Sequence, residues 1–229
     1  MKTTTLLLIS MSTCILISSC QKSDLSEDKD FLRNSNAEKE GNGVKKKNLA
    51  IGDLYGGGII FFIDASGKHG LIAAPQDLGL APWGCFGTEV PGTSQFDGAG
   101  QANTNLILAF CSEAGTAARI CNDLVIRERG ESGKKYDDWF LPSPSEFGKI
   151  TSAINSSSDP KLTSLLVDDY YWCSKQFDFE FQAFPQDRSQ KAVALLVFSY
   201  GTPPDINFAS SYFPFDKSSR LRVIPIRAF

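Results

Sequence analysis

The stretch Gly56-Gly57-Gly58-Ile59-Ile60-Phe61-Phe62-Ile63-Asp64-Ala65-Ser66-Gly67-Lys68-His69-Gly70-Leu71-Ile72-Ala73-Ala74 decides how the chain folds. Two apolar runs, Ile59 to Ile63 and Leu71 to Ala74, flank a turn of Asp, Ser and Gly, the pattern of a β-hairpin. The leading glycines are not a phosphate loop: no Gly-Lys-Ser/Thr follows them, and a strand rather than a helix comes next.

Beyond the hairpin, Pro82 to Gln101 reads as a long irregular loop carrying Trp83 and Cys85. Loops of that length are functional, pinned by a disulfide, or both. From Asn103 to Val125 the apolar residues Leu106, Phe110, Ala114, Ala117, Cys121 and Leu124 recur at spacings of three and four, which predicts one main helix. Gly115 in its middle is expected where the helix packs closely on a sheet. Ser143-Pro144-Ser145-Glu146 is a capping box with Pro at the first helical position and predicts a second helix. That pattern makes Glu146 a capping residue rather than a catalytic acid. Strands are expected over Tyr170 to Ser174, Ala192 to Tyr200 and Leu221 to Ile226, with Pro225 at an edge or beside a bulge. Strands at both ends with helices between them predict an α+β domain whose two ends meet in one antiparallel sheet.

Composition agrees with a folded domain. The 229 residues are 42% hydrophobic, 21% charged and 11% aromatic, and the net charge of −3 gives no general attraction to nucleic acid. Residues 1–19 read as a signal peptide: Lys2, an interrupted apolar stretch too short for a stable span, then Ser18-Ser19-Cys20. Ile17-Ser18-Ser19-Cys20 resembles the lipobox of bacterial lipoproteins, which implies lipidation at Cys20 and attachment to the membrane by acyl chains. Residues 20–48 are polar and poor in apolar side chains, as in a tether, and residues 49–229 form one domain by size. The acidic cluster Asp24, Glu27, Asp28 and Asp30 resembles the signals of surface-exposed Bacteroidetes lipoproteins, which implies an outer-membrane, cell-surface location.

In an exported domain Cys85, Cys111, Cys121 and Cys173 are disulfide candidates. On one helix Cys111 and Cys121 would lie about 15 Å apart, too far for a bond that needs Cα atoms within about 7 Å. Two arrangements remain. Cys85 pairs with one of them and Cys173 with the other, or there is a single bridge with two free thiols. No CxxC or neighbouring His supports zinc, and no cofactor or metal is expected.

Several segments in order resemble the family named after the C-terminal domain of Legionella collagen-like proteins, also known as domain of unknown function 1566. They are Ile51-Gly52-Asp53-Leu54-Tyr55-Gly56-Gly57-Gly58-Ile59-Ile60-Phe61, His69 to Ala74, Trp83-Gly84-Cys85, and Ala117 to Leu124. The set continues with Asp138-Trp139-Phe140-Leu141-Pro142-Ser143 and Glu146, Tyr171-Trp172-Cys173-Ser174, and Arg222 to Phe229. The resemblance implies a C-type-lectin-like fold, with two main helices flanking antiparallel sheets and the terminal strands paired. It also implies adhesion or glycan binding at a cell surface. Where the family often has Trp-Ser-Ser, this chain has Trp172-Cys173-Ser174, so no bridge to Cys173 is inherited. The calcium loop of sugar-binding C-type lectins is absent, and Asp205 after Pro203-Pro204 is not assigned to calcium.

A binding module needs aromatic and polar groups on rigid loops. The candidates are Trp83, Asp137, Asp138, Tyr170 and Trp172, together with Phe179, Glu180 and Gln182 in the Phe177 to Gln186 segment. The lone histidine, His69, sits beside a hairpin turn with no nucleophile assigned to it. A distant fold relation to formylglycine-generating enzymes places no catalytic cysteine pair on this chain. The expectation is therefore non-catalytic binding of an extracellular glycan or protein, ahead of a structural or assembly role in the envelope, with an enzyme third.

Overall fold

The hairpin is present as β2 (Gly58–Ile63) and β3 (Gly70–Ala73) in a computed structural model that describes residues 48–128, 133–177, 189–201 and 207–229. Residues 1–47, with the expected leader, Cys20 and most of the tether, lie outside the described residues. At the hairpin turn Asp64 Oδ1 accepts from the Ser66 hydroxyl at 2.6 Å and the Ser66 N–H at 3.0 Å, an Asx turn that closes the loop. β1 (Leu54–Tyr55) pairs with β2 on one side. On the other side β3 takes the C-terminal strand β11 (Ile226–Ala228), with Gly70 and Phe229 exchanging backbone hydrogen bonds at 3.1 Å each way. The two ends of the domain thus share one antiparallel sheet, as expected.

The second sheet runs in the order β4 (Leu80–Pro82), β10 (Arg220–Arg222), β7 (Asp169–Gln176), β8 (Lys191–Tyr200), β9 (Asn207–Asp216). All its pairings are antiparallel except β10 with β7. A short ladder of β5 (Ile126–Arg127) and β6 (Lys135–Tyr136) stands apart. The expected strand over Leu221 to Ile226 is divided between β10 and β11, because Pro225 has no N–H for a ladder and lets the chain cross from one sheet to the other. Its carbonyl still accepts from Ala74 N at 2.9 Å.

The single helix expected from Asn103 to Val125 is two: α1 (Gly100–Phe110) and α2 (Ala117–Asn122). Cys111 leaves the helix in extended conformation, and Gly115 adopts φ +70°, a left-handed turn that L side chains rarely adopt. The close-packing explanation for Gly115 is wrong, since a Cβ there would meet nothing within 4 Å. Helix α3 (Pro144–Asn155) begins as predicted, with Ser143 and Glu146 forming the full capping box, and α4 (Pro160–Thr163) follows it, capped by Asp159.

One core cluster joins Trp83, Trp172, Leu141, Ile107, Val90 and Cys121, between the five-stranded sheet and α1 and α2. A second, of Ile60, Ile72, Ala74, Tyr136 and Trp139, lies under the four-stranded sheet. Arg227 ties the C-terminal strand to the segment that precedes α3: its guanidinium donates to both Asp138 carboxylate oxygens, at 2.6 and 2.8 Å, and lies 4.7 Å from the Tyr136 ring.

Candidate functional site

Side chains alternate across a strand, and residues opposite one another in a ladder share a face. The uninterrupted β8–β9 register therefore puts Ala192, Ala194, Leu196, Phe198 and Tyr200 on one face with Phe215, Phe213 and Ser211 of the neighbouring strand. Tyr170 of β7, opposite Leu196, joins them. At the inner end this face is core: Ala192, Ala194 and Trp172 are fully buried, and Phe215 packs edge-on to Trp172 with ring centroids 6.4 Å apart. Further out the core ends, but the aromatics continue. Tyr170 packs against Phe215 (4.7 Å) and Phe213 (5.9 Å), and Phe198 lies 6.5 Å from Tyr200. Phe213 is 38% exposed, Phe198 38% and Tyr200 51%. The row from Phe215, opposite Ala192, to Tyr200 spans nine residues of β8, roughly 27 Å at strand rise. Ser211 is exposed between its two aromatic groups.

The opposite face is covered at Tyr171, Leu195 and Val197, whereas Tyr212 at the sheet edge is 58% exposed on that side. Tyr171 is buried against Phe147 of α3 (5.5 Å), its hydroxyl accepts the Val167 N–H at 3.0 Å, and burial pushes its pKa up to about 12.

The structure divides the residues singled out from sequence. Trp83 and Trp172 are core residues and offer no face to a ligand: both are fully buried, and their indole N–H groups donate to Cys173 O and Ala81 O, each at 2.9 Å. Lys217, also fully buried, covers the Trp83 ring at 4.7 Å while its ammonium donates to Thr88 O (2.7 Å) and Gln176 Oε1 (2.8 Å). Asp138 is committed to Arg227, whose hydrogen bonds hold the carboxyl below its ordinary pKa. Asp137 is exposed and paired with Lys135. Tyr170 alone of the described candidates belongs to the aromatic row. Phe179, Glu180 and Gln182 lie outside the described residues. Sequence reasoning missed Phe198, Tyr200 and Phe213 as surface groups; alternation along Ala192 to Tyr200 was the available signal, but only the pairing with β9 shows which aromatics gather.

Among the cysteines, Cys85 and Cys111 are joined, with Cα atoms 5.4 Å apart, whereas Cys121 and Cys173 are free and fully buried. The arrangement with a second bridge to Cys173 is excluded in favour of one bridge and two thiols. Burial raises both thiol pKa values well above the ordinary range, which makes them poor nucleophiles.

Glu146 is likewise structural. Its Oε2 accepts the Ser143 N–H at 2.7 Å and its Oε1 the Gly98 N–H at 3.1 Å, so it caps α3 and holds the loop that enters α1. Burial raises its pKa, against the opposing effect of those hydrogen bonds. An open cavity of about 500 Å³ lies between α3 and β2, floored by Phe61 and Phe62. Its one cationic group, Lys149, is held by Asp97 (3.0 Å) and the Phe62 ring (3.9 Å). Among the described residues no group of three or more His, Cys, Asp or Glu could hold a metal ion, and no helix is long and apolar enough to cross a membrane.

No protein-family model matches the chain, and no curated protein matches it either.

Proposed function

We propose that this chain is a cell-surface lipoprotein, anchored through Cys20, whose domain is C-type-lectin-like and binds an extracellular glycan without catalysis. The observation that carries the binding reading is the row of exposed Phe213, Phe198 and Tyr200, with the partly buried Tyr170 beside them, on an otherwise core-forming sheet face. Folded chains normally bury such aromatics in the core, and two exposed groups of them on one sheet face mark a binding surface. The row has the chemistry a sugar needs. Flat rings receive the apolar CH face of a pyranose, and the hydroxyls of Tyr170, Tyr200 and Ser211 sit among them to meet its polar edge. The rings are carried on paired strands rather than on a loop, so little ordering accompanies binding.

The C-type-lectin-like reading rests on the ordered sequence motifs and agrees with paired terminal strands and helices beside antiparallel sheets. The lipoprotein reading rests on Ile17-Ser18-Ser19-Cys20. A glycan array probed with the full chain tests the first claim: selective binding lost in a Phe213→Ala, Tyr200→Ala double variant is expected, and binding retained in it removes the site. Incorporation of labelled fatty acid in the producing bacterium, lost with Cys20→Ser, tests the anchor; no incorporation in the parent chain removes it.

A further inference from the structure

We infer that the edge strand β9 pairs with β9 of a second copy of this chain, about a twofold axis through Ser211. β9 ends the five-stranded sheet and is ten residues long. Long edges in monomeric proteins are usually blunted by Lys or other charges. Here the one charged residue of the strand, Asp216, is at its end and paired with Lys191, Asn207 to Phe215 carries no charge, and Ser211 to Pro214 is its exposed part.

The pattern of outward-pointing backbone groups is self-complementary. In an antiparallel strand, alternate residues direct both N–H and C=O to the same side. Phe208 turns its pair away from β8: its N–H donates to Asn155 Oδ1 and its carbonyl accepts from Asn155 Nδ2, both at 2.7 Å. Ser210, Tyr212 and Pro214 therefore also face the open edge. Asn155 satisfies the first of these positions, and Pro214 has no N–H to satisfy. Ser210, Tyr212 and the Pro214 carbonyl remain, with no hydrogen-bond partner for their outward backbone groups among the described residues.

A twofold axis at Ser211 sets Ser210 of one copy against Tyr212 of the other, so both N–H and both C=O groups of these two residues are matched on each edge, and the Pro214 carbonyl is left to water. It also sets Pro214 against Phe208, the two positions with no N–H free to donate. The incoming strand can bend away at Pro214, where Asn155 already fills the edge, without losing a hydrogen bond. An unrelated peptide would satisfy the same groups, but the symmetric placement of the two closed positions around Ser211 singles out the chain itself.

Such an axis is perpendicular to the sheet and leaves the same face up in both copies. The two aromatic rows then lie on one side of a continuous ten-stranded sheet, with Phe213 of each copy beside Ala209 of the other. This functional consequence rests on the glycan-binding reading; the pairing itself does not. Two rows on one surface favour a repeating polysaccharide over a single sugar, because the second contact becomes intramolecular.

Sedimentation of the full chain in non-ionic detergent, over a wide concentration range, tests the pairing separately from binding. The protein component of the parent chain is expected to have twice the monomer mass. Ser211→Lys and Ser211→Glu each place like charges opposite one another at the axis and are expected to give monomers. Mixing the two variants restores the dimer. A parent chain that stays monomeric throughout, a dimer that survives Ser211→Lys, or a mixture that stays monomeric overturns the pairing. Loss of glycan binding with the dimer intact would instead count against the aromatic site.

Discussion

The backbone N–H of Gly98 donates to the carboxylate of Glu146, 3.1 Å away across 48 residues of sequence. The N-cap of α1 is Ala99, which has no side-chain oxygen, so a residue of α3 supplies the acceptor at the entry to α1. Gly100 must be glycine for the same reason: a Cβ there would collide with Glu146 Oε2 and crowd Phe140. One carboxylate thereby joins the starts of two helices that pack on the same sheet.

Glu146→Gln keeps one acceptor and turns an NH₂ towards a backbone donor, so it is expected to lower stability by about 1–3 kcal/mol. Because burial raises the folded-state pKa of Glu146, the folded chain holds more protons than the unfolded chain between the two values. The stability contributed by this group is full below the unfolded value and falls as pH rises through the folded one. Denaturant titrations across the acid range should show that decline in the parent chain and its absence in the Gln variant.

Asp138→Asn gives the opposite sign. Arg227 lowers the Asp138 pKa, so this contribution is present above the unfolded aspartate value and disappears as pH falls through the folded one. The carboxylate is half exposed, which keeps the neutral-pH loss to about 1 kcal/mol. Melting curves of parent and variant should differ at neutral pH and converge at low pH.

The Cys85–Cys111 bridge spans 26 residues and pins the loop between β4 and α1 to the end of that helix. Replacing both cysteines by Ala is expected to cost about 2–4 kcal/mol. Cys121 and Cys173 should stay silent to a thiol reagent in the folded chain and add two reactive groups on unfolding without reductant. Mass spectrometry of labelled peptides checks both sites.

Trp83→Ala is expected to destabilise the domain by about 3–5 kcal/mol as a large core truncation. It also strips the cover from the buried Lys217. Tyr200→Ala should leave the melting temperature within a degree or two, since surface changes move stability by only about 0.5 kcal/mol. The contrast, read by calorimetry, separates pillar from platform.

Local signals were legible where neighbours in sequence determine the structure. The Asp64 to Gly67 turn between two apolar runs and the Ser143 to Glu146 box both appear as read. The break between α1 and α2 was not, because the three-four spacing runs from Leu106 through Cys121 across it; only the left-handed backbone at Gly115 reveals the turn. β9 was hidden by Pro214 and by two serines among its aromatics, yet an edge strand tolerates a proline whose missing N–H faces outward. The site was the least legible part. Trp83 has the composition of a ligand-binding aromatic and the position of a core one, whereas Phe213 and Tyr200 come together only through the ladder that joins β8 to β9.

Binding of the full chain to an array of extracellular polysaccharides, measured beside the Phe213→Ala, Tyr200→Ala double variant and an Asp137→Ala control, shows whether the aromatic row holds a glycan. A selective signal is expected in the parent and the control, with its loss in a double variant that keeps the parent melting temperature. A signal that persists without the two rings, or a parent chain that binds none of the glycans, would rule out the aromatic row as a glycan site.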